Sequence, residues 1–270
     1  MYKFLAVLFG VFMIMPAHAE DSKTHSYKLG AFEVTSLINQ KAEHDKSLFH
    51  YGDSEKLKEL LSENDANLGS MGEFYVDTGS RKILFDTGLS SKTSELLESI
   101  NVQPKDIDMV IITHTHGDHV GGLLDSAGRQ NFPNAVIYVS EEELAANPDN
   151  PKLAAYGEKV KTFGRFEKII EGIVSEPAFG HTLGHTVFWL ESEGRKMLIW
   201  GDVIHAQIQF MYPEIYLRYD TNHLDALDVR NDLLKRVADE DVVVGGMHLA
   251  APAMGRVYKE DIGYRFEPIK

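Results

Sequence analysis

The chain has 270 residues, of which 43% are hydrophobic and 25% charged, a globular composition that excludes wholesale disorder and a fibrous repeat. Lys and Arg number 27 against 41 Asp and Glu, a formal charge of −14; such a surface repels phosphate backbones, so nucleic-acid binding is not expected. Cysteine is absent, which rules out disulfides, thiolate zinc ligands and a cysteine nucleophile.

Lys3 is followed by an apolar run, Phe4 to Met15, and then by Pro16-Ala17-His18-Ala19. A basic start, a greasy stretch and a small-x-small site predict a secretory signal over residues 1–19. The run is shorter than the ~20 residues a membrane span needs. The mature chain is therefore expected as a single domain over 20–270, without a stable membrane anchor, secreted and periplasmic in a Gram-negative source. Tyr27 to Ile38 alternates and predicts one strand. Ser54 to Leu61 has helical spacing. Glu73–Asp77 and Lys82–Asp86 flank Thr78-Gly79-Ser80-Arg81 and predict a hairpin. A helix follows over Ser91 to Ile100, then strands over Met109–Thr113 and Ala135–Val139, then a helix over Glu141–Ala146. In the second half, Ile173–Glu176, Val187–Leu190, Met197–Trp200 and Val242–Gly245 predict strands. His223 to Val237 is amphipathic, with Leu224, Leu227, Leu233, Leu234 and Val237 on one side, and is expected to pack on the core. That leaves the oligomeric state open. A small strand near Tyr264 closes the chain. Alternating strands and helices give an α/β (α+β) class with helices covering sheets.

The sharpest feature follows an apolar strand directly: Thr113-His114-Thr115-His116-Gly117-Asp118-His119. His114 and His116 are two apart, so extended backbone points both the same way. Asp118 and His119 fall in the turn entering a helix and reach the same place from another angle. Three imidazoles and a carboxylate so close together suit a borderline first-row cation such as zinc. Downstream, Gly180-His181-Thr182-Leu183-Gly184-His185, Gly201-Asp202 and Gly245-Gly246-Met247-His248 each place a histidine or aspartate beside glycine at a strand end.

H-x-H-x-D-H, a distant G-H-T, a G-D and a final His resemble the metallo-β-lactamase-fold superfamily. The resemblance runs from Asp86-Thr87-Gly88 to the end. It implies a four-layer αβ/βα sandwich with a two-metal site on one edge. It implies His114, His116 and His181 as ligands of one divalent ion and Asp118, His119 and His248 as ligands of the other, with Asp202 between them. It further implies an orienting role for Asp86 and an orienting or structural one for His185. Two zinc ions are expected, although iron, manganese or cobalt use the same donors. A hydroxide bridging the two ions would attack the substrate, with Asp118 moving the proton.

A closer similarity rests on Asn131-Phe132-Pro133-Asn134-Ala135, Gly201-Asp202-Val203-Ile204-His205-Ala206, Gln209-Phe210, His248-Leu249-Ala250-Ala251-Pro252 and Gly263-Tyr264-Arg265-Phe266. These resemble the methyl parathion hydrolase and acyl-homoserine lactonase-like branch, which implies an exported hydrolase of lactones, esters or phosphotriesters acting on a small molecule. Phe49, His50 and Tyr51, then His205, Gln207, Phe210 and Tyr212, then Leu249 and Pro252 are the expected substrate-facing residues. Alternatives are a periplasmic metallo-β-lactamase and a single-iron sulfur dioxygenase-type enzyme. An aspartate at 202 argues against the first, and the full ligand set against the second.

Overall fold

The unbroken apolar runs of the central strands reflect burial on both faces. In a computed structural model that describes residues 23–62 and 66–270, Ile83 and Phe85 point into one hydrophobic cluster while Leu84 between them points into another. Met109 and Ile111 alternate with Val110 and Ile112 in the same way. The signal segment expected over 1–19 lies outside the described residues.

The first half of the chain forms β1 (Thr24–Leu29), β2 (Phe32–Glu43), β3 (Phe49–His50), α1 (Ser54–Leu60), β4 (Leu68–Asp77), β5 (Lys82–Phe85), α2 (Lys92–Ser99), β6 (Met109–Ile111), α3 (Gly117–Val120), β7 (Val136–Ser140), α4 (Glu141–Ala146), α5 (Pro151–Ala154) and β8 (Val160–Phe163). The second half forms β9 (Lys168–Ile170), β10 (Ile173–Pro177), β11 (Thr186–Ser192), β12 (Arg195–Ile199), α6 (Ile208–Met211), β13 (Tyr216–Leu217), α7 (His223–Asp239), β14 (Val243–Gly245), β15 (Met254–Lys259) and β16 (Tyr264–Pro268). Two seven-stranded mixed sheets result, ordered β1-β2-β4-β5-β6-β7-β8 and β16-β15-β14-β12-β11-β10-β9, and β3 pairs with β13 apart from them. The sheets face each other across the main core, where the Phe85 and Phe188 rings lie 5.3 Å apart. Leu96 and Leu97 of α2 cover the outer face of the first sheet. Leu233, Leu234 and Val237 of α7 join the core beneath the second. This is the mixed α/β sandwich that the motifs imply.

Three expectations are corrected. Residues 27–38 are not one strand: Gly30 turns the chain at φ +59, where a Cβ would meet the Ser192 carbonyl at 2.4 Å, and β1 pairs back onto β2. The closing strand has a partner, β15, that the pattern did not reveal. On α7, Leu224 is 60% exposed, and Ala226 and Arg230 are buried in the face it was expected to share.

Candidate metal centre

Strand direction gathers the polar motifs on one edge. β5 and β6 run parallel, as do β12 and β14, so the residues that follow them emerge together. Asp86 follows β5, Thr113 and His114 follow β6, Asp202 follows β12 and His248 follows β14. The His181 loop enters β11, which is antiparallel to β12 and so starts on the same edge. Its glycines have a packing reason. A Cβ on Gly180 would lie 2.1 Å from the Ala226 nitrogen on α7, and one on Gly184 would lie 2.1 Å from the Glu143 nitrogen on α4. The loop is thus pressed between the first turns of two helices.

The seven expected ligands converge. Nε2 of His114 lies 3.0 Å from Nδ1 of His116, and Nε2 of His181 lies 3.2 and 3.0 Å from those two atoms. Tetrahedral zinc with Zn–N of about 2.0–2.1 Å separates its ligand nitrogens by roughly 3.3 Å, so this triangle has the dimensions of a cation's ligand face. Asp202 Oδ2 is 3.3 Å from His181 Nε2 and 3.1 Å from His248 Nε2, and its Oδ1 is 3.2 Å from His119 Nε2. Asp118 Oδ2 reaches to 3.4 Å of His248 Nε2. Two donor groups, His114/His116/His181/Asp202 and Asp118/His119/His248, each fit within 4.8 Å, with Asp202 lying between them.

The outer partners turn these donors into lone pairs. A carbonyl or an ionised carboxylate only accepts, so the ring nitrogen facing it carries the proton and the opposite nitrogen is bare. Nδ1 of His248 donates to the Ser70 carbonyl at 2.9 Å, Nδ1 of His119 to Asp86 at 2.7 Å and Nδ1 of His181 to Asp220 at 2.9 Å. Thr113 gives its hydroxyl proton to Asp86 at 2.8 Å and accepts from His114 Nδ1 at 3.0 Å. With Nδ1 so engaged, four imidazoles aim Nε2 inward, and Nε2 is the atom each would give to a cation. Nε2 of His119 and Oδ1 of Asp202 are buried without a hydrogen-bond partner. Lone pairs facing lone pairs repel, and a cation resolves the conflict. The donor set fits a pair of divalent ions. His185 serves the same edge structurally: Nδ1 donates to the Ala178 carbonyl, and Nε2 accepts from the Asp202 backbone at 3.0 Å.

Electrostatics agree. Burial drives His114 well below the ordinary imidazole range, with His119 adding to it. Burial pulls His205 down to about 4. For Asp202, burial works against the charge, but His119, His248 and His114 hold the carboxyl well below its usual value. Asp118 is likewise lowered: burial works against the charge, and His119 and His248 with a backbone hydrogen bond together outweigh it. Against burial, Asp202 with Asp86 raises His119 well above the ordinary imidazole range, Asp202 and Asp220 raise His181 to about 9, and Asp202 raises His248; ionised carboxylates that draw protons onto these rings draw a dication to the same place.

A cavity of about 380 Å³ opens over these groups, lined also by His44, Met71, Leu89, His205 and Tyr219. Of the residues expected to face substrate, His205 alone lines it. Both of its ring nitrogens are buried without a hydrogen-bond partner, although Nε2 lies 3.3 Å from Asp202 Oδ2 and joins Asp202 and His248 in a third group that could hold a metal. The others lie elsewhere. Phe49 is buried with Leu57 and Leu60, and Tyr51 and Tyr212 pack on that cluster. His50 stacks on Tyr216. Phe210 is in the main core, stacked on Phe266, and Leu249 joins that core. Gln207 and Pro252 line two other grooves. For Gln207, Phe210 and Tyr212 the physical cause is Gln209: its side-chain oxygen accepts from the His205 and Ala206 nitrogens and its amide donates to the Ile215 carbonyl, so the chain after His205 turns away from the cavity. His44, Met71, Leu89 and Tyr219 carried no signal in the sequence, because each is brought in by a separate loop or strand. Among the described residues, no helix is long and apolar enough to cross a membrane.

Residues 74–248 match the metallo-beta-lactamase superfamily. A curated relative, exodeoxyribonuclease WalJ of Streptococcus pneumoniae, is 47% identical over 107 residues, 36% of this chain and 39% of that protein. A beta-lactamase-like protein 2 homolog of Caenorhabditis elegans is 28% identical over 193 residues, 63% of this chain and 58% of that one. The chain thus spans less than two thirds of either relative. Solved structures cover it almost whole. The hydrolase AbOPH superposes with a TM-score of 0.85 at 25% identity, covering 92% of this chain and 98% of its own. AidC, described as a dizinc quorum-quenching lactonase in complex with a homoserine product, gives 0.83 at 25% identity over 93% and 99%.

Proposed function

Because the chain belongs to the metallo-beta-lactamase superfamily, we propose that it is an exported two-metal hydrolase that opens lactones and cleaves related ester or phosphotriester bonds. The observation that carries this reading is the convergence of His114, His116, His181, Asp202, Asp118, His119 and His248 with their donor atoms turned inward. His114, His116 and His181 would hold one ion and Asp118, His119 and His248 the other, with Asp202 shared. When bound, the pair supplies Lewis acidity, lowering the pKa of water and polarising the substrate's carbonyl or phosphoryl oxygen.

The remaining work falls to the chain. Asp118 lines the cavity with its side chain about a quarter exposed, whereas Asp202 is 3% exposed. Asp118 is therefore the carboxylate placed to take a proton from water and return it to the leaving alkoxide. His205, which lines the cavity with Nε2 3.3 Å from Asp202 and makes no hydrogen bond through either ring nitrogen, offers one to a polar atom of the substrate. Met71, Leu89 and Tyr219 give the mouth an apolar wall for an acyl or aryl group. Overall similarity to the lactonase AidC supports lactone chemistry, and that to the hydrolase AbOPH supports hydrolysis. The charge of −14 opposes a DNA substrate, and the exonuclease match spans only a part of the chain. Export rests on the order of residues 1–19, and cell fractionation with N-terminal sequencing tests it.

The experiment is metal analysis of the purified protein combined with turnover of homoserine lactones, aryl esters, paraoxon-type triesters, a cephalosporin and single-stranded DNA. Lactone or ester turnover supports the reading. Full metal content with turnover of the cephalosporin or DNA alone replaces the substrate class.

A further inference from the structure

We propose that Glu143, a residue outside the ligand set, is a positioning residue for the three-histidine half of the site. The inference rests on the reading that His114, His116 and His181 hold a cation. Glu143 is the third residue of α4 and is fully buried. Its Oε1 accepts from the Thr115 nitrogen at 2.8 Å and the Thr115 hydroxyl at 2.6 Å. Its Oε2 accepts from the Thr182 hydroxyl at 2.6 Å and the Gly184 nitrogen at 3.1 Å. Thr115 stands between His114 and His116, and Thr182 follows His181. One carboxylate thus joins the loop after β6 to the loop before β11, and touches residues that flank the ligands rather than the ligands themselves.

The partners demand a carboxylate. All four are donors, as is the Asn147 amide at 3.4 Å from Oε1, and only an ionised carboxyl offers acceptor sites at both ends with no proton of its own. A glutamine would turn an NH₂ group against one pair of donors. Among the described residues, no lysine or arginine pairs with Glu143, so these hydrogen bonds are what hold the buried charge. The helix that carries it is seated on the same loop. The Ser140 hydroxyl accepts from the Glu143 nitrogen at 3.1 Å and donates to the Gly184 carbonyl at 2.8 Å. Among the described residues, Glu143 and one backbone bond, Thr186 nitrogen to Thr113 carbonyl at 3.0 Å, tie these two loops to each other, while Asp220 holds His181 from the other side. Asp86 stands behind His119 and, through Thr113, behind His114, and the Ser70 carbonyl stands behind His248, whereas Glu143 touches only residues that flank the three-histidine set. The effect of Glu143 is therefore selective.

The test is a cobalt(II) titration of the chelator-stripped full chain, read by absorbance against a competing chelator, in two backgrounds. His248→Ala leaves the three-histidine set to be read, and His116→Ala leaves the other. Glu143→Gln is expected to raise the cobalt dissociation constant about 10- to 100-fold in the first background and less than about twofold in the second, with unchanged circular dichroism. Thr182→Val, which removes a single donor and keeps the shape, is expected to cost roughly two- to tenfold in the first background and serves if Glu143→Gln does not fold. Unchanged binding by both variants, or equal loss in both backgrounds, overturns the role of Glu143 while leaving the metal reading intact. If the His248→Ala parent binds no cobalt, the three-histidine reading itself fails and takes the inference with it.

Discussion

The Asp86 carboxylate lies 2.7 Å from Nδ1 of His119, and both groups are shut away from solvent. Asp86 also accepts from the nitrogen and hydroxyl of Thr113, each at 2.8 Å. One side chain therefore orients His119 directly and His114 through Thr113. Asp86→Ala is expected to weaken metal binding about 10- to 100-fold, measured by competition with a chelator. An unchanged affinity would show that ring orientation is set elsewhere.

Arg230 extends the support behind His181. It is buried on α7, with Nε on the Val203 carbonyl at 2.8 Å, Nη1 on the Pro213 carbonyl at 2.7 Å and Nη2 at 3.6 Å from Asp220. Asp220 in turn holds His181. Arg230→Met takes the cation from beside Asp220 and one donor from each of the Val203, Pro213 and Ile215 carbonyls, at a cost of about 3–5 kcal/mol. Chemical denaturation checks this, and a loss under ~1 kcal/mol would contradict it.

Glu73 gives stability a pH dependence of its own. Burial raises its carboxyl from 4.5 to about 8, against the opposing hydrogen bonds of Thr93 and Asn39. A raised carboxyl pKa means that the folded state holds the proton more tightly than the unfolded one. The stabilisation is complete below 4.5 and is lost as pH rises towards 8. Glu73→Gln keeps the neutral form at every pH. Relative to the parent, it is expected to gain on the order of a few kcal/mol between pH 5 and pH 9. Parallel stability profiles for the two proteins would refute the assignment.

Asp118→Asn keeps the shape of the cavity and removes the proton carrier. A fall in kcat of roughly 10²- to 10⁴-fold is expected, with the melting temperature held within a few degrees. Retention of full activity would move proton transfer to another group.

Much of the site is legible in the chain because its ligands cluster within short segments, at strand ends and beside glycines whose roles are local. His114 to His119 is one such segment, and Gly180 and Gly184 mark where the His181 loop is squeezed by α7 and α4. The pocket wall is not legible in this way. Phe210 and Tyr212 follow Asp202 closely, yet one turn of α6 and the Gln209 hydrogen bonds send them to the core side. His44 enters from a remote loop, with Nε2 donating to the His205 carbonyl at 2.9 Å, a contact that pairs residues far apart in sequence. Glu143 offered a faint signal, since Ser140 three residues before it reads as a helix start, but its tie to two ligand loops is a property of the tertiary structure. Arg230 could have been found from α7 alone: it is a charge in phase with Ala226, Leu233, Leu234 and Val237, and such a residue needs buried partners.

Metal stoichiometry against chelation tests the central claim most directly. About two equivalents of divalent metal per chain are expected, with loss of hydrolysis when they are stripped and its return when zinc is restored. A protein that binds no divalent cation, or that turns over undiminished after exhaustive chelation, would contradict it.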